Sequence, residues 1–245
     1  MKKIILLIGI IVMLLAIRVA FGQTQEGVIT YEINVNQHRT LSADRQDMKA
    51  MVPEFRIFKQ QLFFNPEESL YKPLMEDDDE EETNNQGGPV RMVFRQRSEV
   101  YCHPGSGRLL SLLDFMGKDY LIEDTVKMAP WKFGSETKTI IGYECKQAFY
   151  TDEERKQTIT AWYTDKLRPF LGPDRTNTLP GAILAVDINS GERVTLAKKI
   201  ELRPLKKNEL KIPSKGEKTT QAEFRKMVEE QMKNRGGGNR LIIRN

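Results

Sequence analysis

Apolar side chains recur at every second position through much of this chain, and short turn signals separate the runs. Ile29, Tyr31, Ile33 and Val35 alternate with Thr30, Glu32 and Asn34, the period of a half-buried strand. Ile141, Tyr143, Cys145 and Phe149 share one face of a second run, and Ile159, Ala161 and Tyr163 oppose Thr158, Thr160 and Trp162 in a third. Val194, Leu196, Ile200 and Leu202 continue the pattern. Between them lie Pro104-Gly105-Ser106-Gly107, Met116-Gly117-Lys118, Thr151-Asp152-Glu153 and Asn189-Ser190-Gly191. Strands joined by turns this short pair with their neighbours in antiparallel fashion. The expected fold is mainly β: a twisted antiparallel meander of about nine to eleven strands, curled into a half-barrel-like sheet.

Two helices accompany the strands. Ser42 to Met51 reads as a short helix near the N-terminus, with Leu41, Met48 and Met51 or Val52 on one side and Pro53 as its stop. Thr220-Gln221-Ala222-Glu223 is a capping box, and Phe224, Met227, Val228 and Met232 follow at the spacing of a C-terminal amphipathic helix. The expected organisation is a signal peptide over 1–22, an antiparallel β-domain over 23–204, a basic linker over 205–218, and a C-terminal helix with a Gly-rich tail over 219–245. The run Glu76 to Glu82, seven acids in succession, leads into Thr83-Asn84-Asn85-Gln86-Gly87-Gly88-Pro89. It reads as an exposed disordered loop at about 76–89.

The net charge of +4 invites a nucleic-acid reading, and the N-terminus removes it. Lys2 and Lys3 precede an apolar run from Ile4 to Ile17, followed by Ala20-Phe21-Gly22. This is the pattern of a secretory signal peptide, and the run is shorter than the roughly 20 residues that span a bilayer. Cleavage after Gly22 leaves a mature chain of net charge +1 with no transmembrane span; Arg18, close to the cut, leaves an uncleaved anchor as the alternative. That charge is segregated: 14 Lys and Arg stand against 6 Asp and Glu from Lys198 to Asn245, and residues 23–197 carry −7. An exported address with no aromatics among Lys206, Lys207, Lys211, Lys215 and Lys218 excludes nucleic acid as the partner.

Motifs for catalysis are missing. Cys102-His103 are neighbours on a strand and point to opposite faces, so they cannot share a proton. Gly105-Ser106-Gly107 lacks the spacing of a nucleophile elbow, and neither HExxH, GxGxxG nor a phosphate-binding loop occurs. The contiguous acids lack the spacing of a calcium loop, and His38, His103, Met48 and Met51 could make a copper site, although a Met on a helix face is usually core. No cofactor and no catalytic residue is assigned, and the chain reads as non-enzymatic. Cys102 and Cys145 admit two readings, a disulfide formed in an oxidising compartment or two buried thiols. Trp162 stands on the face opposite Ile159 and Tyr163. If the sheet curls, that face can line a groove for an apolar ligand, so Trp162, Tyr163, Leu179, Pro180 and Gly181 are the candidate ligand-binding residues.

Thr178-Leu179-Pro180-Gly181-Ala182-Ile183 resembles the hexapeptide that names the GLPGLI family. Gly142-Tyr143-Glu144-Cys145-Lys146-Gln147-Ala148 is similar to the family's Gly-Tyr-x-Cys-x-x-Ala segment, and Leu121-Ile122-Glu123-Asp124 and Glu68-Ser69-Leu70-Tyr71 match its pattern. The resemblance covers nearly the whole mature chain. Thr178 stands where the family has its first Gly, and Ala182 where it has its second Leu; a Gly requiring positive φ there would leave Thr178 strained. The resemblance implies an exported protein of the periplasm or outer-membrane periphery of a Gram-negative bacterium. It brings no catalytic residue set and suggests association with an outer-membrane, TonB-dependent receptor. Three functions follow as expectations: a periplasmic binding or accessory protein with a groove on its curled sheet, a receptor-associated interaction module working through the basic C-terminal segment, or a metal-handling envelope protein.

Overall fold

The computed structural model describes residues 26–41, 43–74 and 98–234. The stretches expected to be a signal peptide, an acidic loop and a Gly-rich tail lie outside the described residues. Among the described residues twelve strands form one sheet: β1 (Gly27–Asn36), β2 (Phe55–Phe64), β3 (Ser69–Pro73), β4 (Ser98–His103), β5 (Arg108–Phe115), β6 (Lys118–Thr125), β7 (Lys132–Ile140), β8 (Tyr143–Asp152), β9 (Gln157–Thr164), β10 (Ala182–Ile188), β11 (Arg193–Leu202) and β12 (Glu217–Thr220). Their order is β12-β6-β5-β4-β3-β2-β1-β11-β10-β9-β8-β7. Two antiparallel meanders, β1 to β6 and β7 to β11, are therefore joined along β1 and β11, and β12 adds to β6 in parallel. The fold is mainly β and antiparallel, as the alternation predicts.

Curling follows from one connection. β6 and β7 stand ten places apart in the sheet, yet only residues 126–131 join them. A flat sheet would separate these strands by about 48 Å at about 4.8 Å per strand. The connection reaches about 25 Å at most, at about 3.5 Å per residue. The sheet must bend until its two ends approach. Val126 and Trp131, at either end of the connection, pack on the core. Tyr31, fully buried on β1, donates its hydroxyl to the Ile183 carbonyl on β10 at 2.7 Å.

The register assigns residues to faces. Ile29, Tyr31, Leu62, Phe64, Tyr71, Val100, Cys102 and Leu109 share one face of β1 to β5 and form much of the main core. On the opposite face, Leu70, Tyr101, Leu110 and Leu121 make a second cluster covered by Leu210. The stretch read as a linker is thus a strap across the sheet. A bidentate pair from Arg203 to Glu209, at 2.7 and 2.8 Å, folds it, and Lys72 Nζ donates to the Glu209 carbonyl. The strap continues into β12 at the edge of β6 and then into the C-terminal helix Gln221–Asn234, which crosses to the first face. There Phe224 is buried against Tyr120 and Phe115 at ring separations of 5.4 and 5.7 Å. The capping box forms as expected: Glu223 N donates to Thr220 Oγ1, and Thr220 N donates to the Glu223 carboxylate.

Three local expectations change. Ile141 is not a strand residue; it shares a two-residue turn with Gly142, both at positive φ (49° and 78°), and the strand starts at Tyr143. Both turn residues at positive φ match the twist of the flanking strands. Leu196 and Ile200 do not share a face, because the register shifts between Thr30 and Tyr31 and leaves Lys198 as an extra residue. The N-terminal helical region is a short helix at Gln37–Thr40 and a 3₁₀ segment at Ala43–Ala50, and Met51 is exposed. Without buried anchors, that segment gains nothing from completing an α-helix.

The C-terminal helix is therefore part of the domain. Phe224→Ala should destabilise it by about 3–5 kcal/mol in urea unfolding, since it opens a cavity over Tyr120 and Ile122. The strap carries a pH signature. Hydrogen bonds from Arg203 lower the Glu209 carboxyl to about 2 from an ordinary value near 4.5. The pair's contribution is then complete above about pH 4.5 and is lost as pH falls towards 2. Glu209→Gln should be less stable than the wild type at neutral pH, with the difference closing over that acid range.

Candidate functional site

The loop 165–181 folds from β9 back into β10 and supplies both a packed unit and an open groove. Phe170 N donates to the Leu179 carbonyl, Ile183 N to the Leu171 carbonyl, and Leu171 bridges Ala182. Gly181 is required here by a close approach: a Cβ would sit 2.1 Å from the Thr164 carbonyl oxygen. Thr178 is free of the strain that a left-handed position would impose, since it is absent from the positive-φ residues. Its Oγ1 accepts from Trp131 Nε1 at 3.0 Å and from Ala129 N at 3.3 Å. Thr178 thereby ties the β6–β7 connection to this loop.

The five candidate ligand-binding residues separate in space. Leu179 and Tyr163 are buried in one cluster with Ile183, Gly181 is buried against Thr164, and Pro180 is exposed. Trp162 stands on the other face, half-buried, with Lys138 Nζ 3.2 Å from its ring centroid. Packing uses Tyr163, Leu179 and Gly181 as core, so these five line no common groove. Cys102 and Cys145, the candidate bridge, are two free buried thiols. Cys102 has the Asn177 side chain as a partner, and Cys145 Sγ donates to the Tyr143 carbonyl. Burial pushes each thiol up to about 11, so both are protonated at neutral pH and weak as nucleophiles.

An open groove of about 560 Å³ lies instead where three turns meet, lined by Pro66, Glu67, His103-Pro104-Gly105 and Arg168-Pro169-Phe170. The β2–β3 turn supplies the first pair, the β4–β5 turn the second group, and the loop after β9 the third. Arg168 enters the wall as a cation with little compensation. Nη1 donates to the Pro169 carbonyl at 3.1 Å and Nη2 to the Glu68 carbonyl at 2.9 Å, while Nε is enclosed without an acceptor. Burial pushes its guanidinium down to about 10, against a small opposing effect from Cys102. His103 Nδ1 accepts from Ser106 N at 3.2 Å, so the neutral ring carries its proton on Nε2 and is a donor there. Phe170 has φ 57°, a costly conformation for a bulky side chain, and it is held by its bond to Leu179.

The residues of this groove were not singled out by sequence. His103 lines this groove while Cys102 is buried in the core, so the two form no nucleophile–base pair, as their alternation on one strand requires. The available signal was Arg168-Pro169-Phe170-Leu171, a cation among apolar residues between two strands. Among the described residues no group of three or more His, Cys, Asp and Glu side chains is placed to hold a metal ion, and no helix is long and apolar enough to cross a membrane.

Neither a family model nor a curated protein matches the sequence. Solved structures do. Two crystal forms of PNGF-II superpose with TM-scores of 0.57 and 0.56 at 15% and 16% identity, each over 85% of this chain. The match covers 34% and 33% of those chains, so this chain spans about a third of the length of PNGF-II and is similar to it in fold.

Thr178 makes the packed unit testable. Thr178→Val should cost about 1–2 kcal/mol in chemical unfolding, because Trp131 Nε1 and the Ala129 amide lose their acceptor at a half-buried position. A shift in Trp fluorescence should accompany it.

Proposed function

We propose that this chain is an exported, non-enzymatic binding or accessory protein of the cell envelope, of the GLPGLI type. Its ligand occupies the groove formed by the turns at 66–67 and 103–105 and the loop at 168–170. The observation that carries this reading is the open groove with a largely uncompensated Arg168 in its wall and a strained Phe170 in its lining. Strain of this kind is retained where the surrounding structure holds it for a purpose. In this reading Leu179-Pro180-Gly181 acts as the support: the Leu179 carbonyl holds the Phe170 backbone, and Gly181 lets the loop close on β9. Export rests on the Lys2-Lys3 leader and the apolar run after it.

A second reading, assembly on an outer-membrane receptor, draws on the strap. Lys206, Lys207, Lys211, Lys215 and Lys218 are all exposed on it, a basic stripe suited to an acidic partner surface. Because the strap and the helix after it are packed on the sheet, such a partner would meet a folded surface and not a free tail.

Native mass spectrometry of the full chain purified from periplasm separates the two. A small molecule should co-purify with the wild type and be lost from Gly105→Leu, which fills the groove without a strained backbone. A small molecule retained by Gly105→Leu, or a protein partner in its place, would count against the groove.

A further inference from the structure

We infer that the groove selects an oxyanion, a carboxylate or a phosphate ester carried on a compact apolar body, and that Arg168 is the residue that selects it. This inference rests on the groove as the binding site and adds the chemical class of its occupant. Of the five N–H groups of the guanidinium, two donate to backbone carbonyls, Nε is enclosed, and the second hydrogens of Nη1 and Nη2 have no acceptor among the described residues. Carbonyl oxygens orient the fork but carry no net charge, and no carboxylate pairs with Arg168 among the described residues. A partly buried cation with donors to spare is stabilised by an anion that enters with its own hydrogen-bond acceptors. His103, with its proton on Nε2, adds a second donor to the lining.

The rest of the lining describes the remainder of the ligand. Phe170 and the rings of Pro66, Pro104 and Pro169 offer an apolar surface around the charge. Among the described residues Glu67 is the one carboxylate in the lining, and it opposes an anion. The side chain of Glu68 is turned to other uses, accepting from the Tyr101 hydroxyl and from Asn65 Nδ2. Glu67 is exposed, whereas the Arg168 hydrogen bonds bind the guanidinium to the fold. The wall therefore prefers negative charge, with Glu67 setting how strongly.

Titration of the full-length protein with benzoate, phenyl phosphate and neutral benzamide tests this. Calorimetry gives the affinity, and the Arg168 Nε–H signal in a ¹⁵N-correlated NMR spectrum gives the location. At least one of the two anions should bind about tenfold or more tightly than benzamide and shift that signal, and their ratio identifies the preferred oxyanion. Arg168→Gln should lose about tenfold or more in that affinity. Glu67→Gln, which touches none of the Arg168 contacts, should gain about two- to fivefold. Equal binding of benzamide and the anions, no binding of either anion, or an affinity for them that Glu67→Gln leaves unchanged overturns the inference, even if Arg168→Gln fails to fold. If Gly105→Leu still removes a co-purifying molecule in that event, the groove stands and its occupant is neutral.

Discussion

The connection from Thr125 to Lys132 has to join two strands that stand ten places apart, and six residues are all it has. Chain length alone forbids a flat sheet under that condition. Once the ends approach, the apolar face of β1 to β5 meets the far meander and the loop after β9. Tyr31 reaches Ile183, and Leu167 and Leu171 enter the core. The loop is not decoration on this arrangement. Through Thr178 it accepts two hydrogen bonds from the connection that imposes the curl.

The two ends of the curled sheet are finished differently. At β6 the chain returns after the strap, adds β12, and lays Phe224 over Tyr120 and Ile122. The helix also reaches the β8–β9 turn through an ion pair from Arg225 to Glu154. β7 ends the other side with mostly exposed residues, among them Lys132 and Lys138, the kind of charged edge that discourages pairing with another chain. Among the described residues, the basic side chains of the C-terminal region are thus spread over a packed strap and helix. The groove lies on turns whose positions depend on β2 to β5 and on the loop after β9 together, so its geometry depends on the curl as well.

Period-two alternation made β1 and β9 legible, since each has one face buried and one half-exposed. Turn chemistry made Met116-Gly117 and Asn189-Ser190-Gly191 legible, and the capping box made the last helix legible to within a residue. The candidate site was less so. Trp162, Tyr163 and Leu179 were distinguished by residue type, but a Trp or Tyr on a strand serves core packing as well as recognition. Arg168 and Phe170 stand in a stretch without periodicity, and their roles arise from neighbours roughly 65 to 100 positions away, at Pro66, Glu68 and His103. Local pattern holds no record of such meetings.

What the sequence by itself determined is the local grammar: which segments extend, where they turn and how the final helix begins. These depend on side chains within a few residues of one another. Only the tertiary structure decided that β1 joins β11, that Lys198 interrupts the alternation, and that the basic segment is a strap. It alone kept Cys102 and Cys145 as separate thiols and brought Arg168 to a groove with no counter-ion among the described residues. The reason is physical. Pairing between distant strands and the burial of a charge are set by where the whole sheet can bend, and that bend is imposed by one short connection whose length means nothing until the strand order is known.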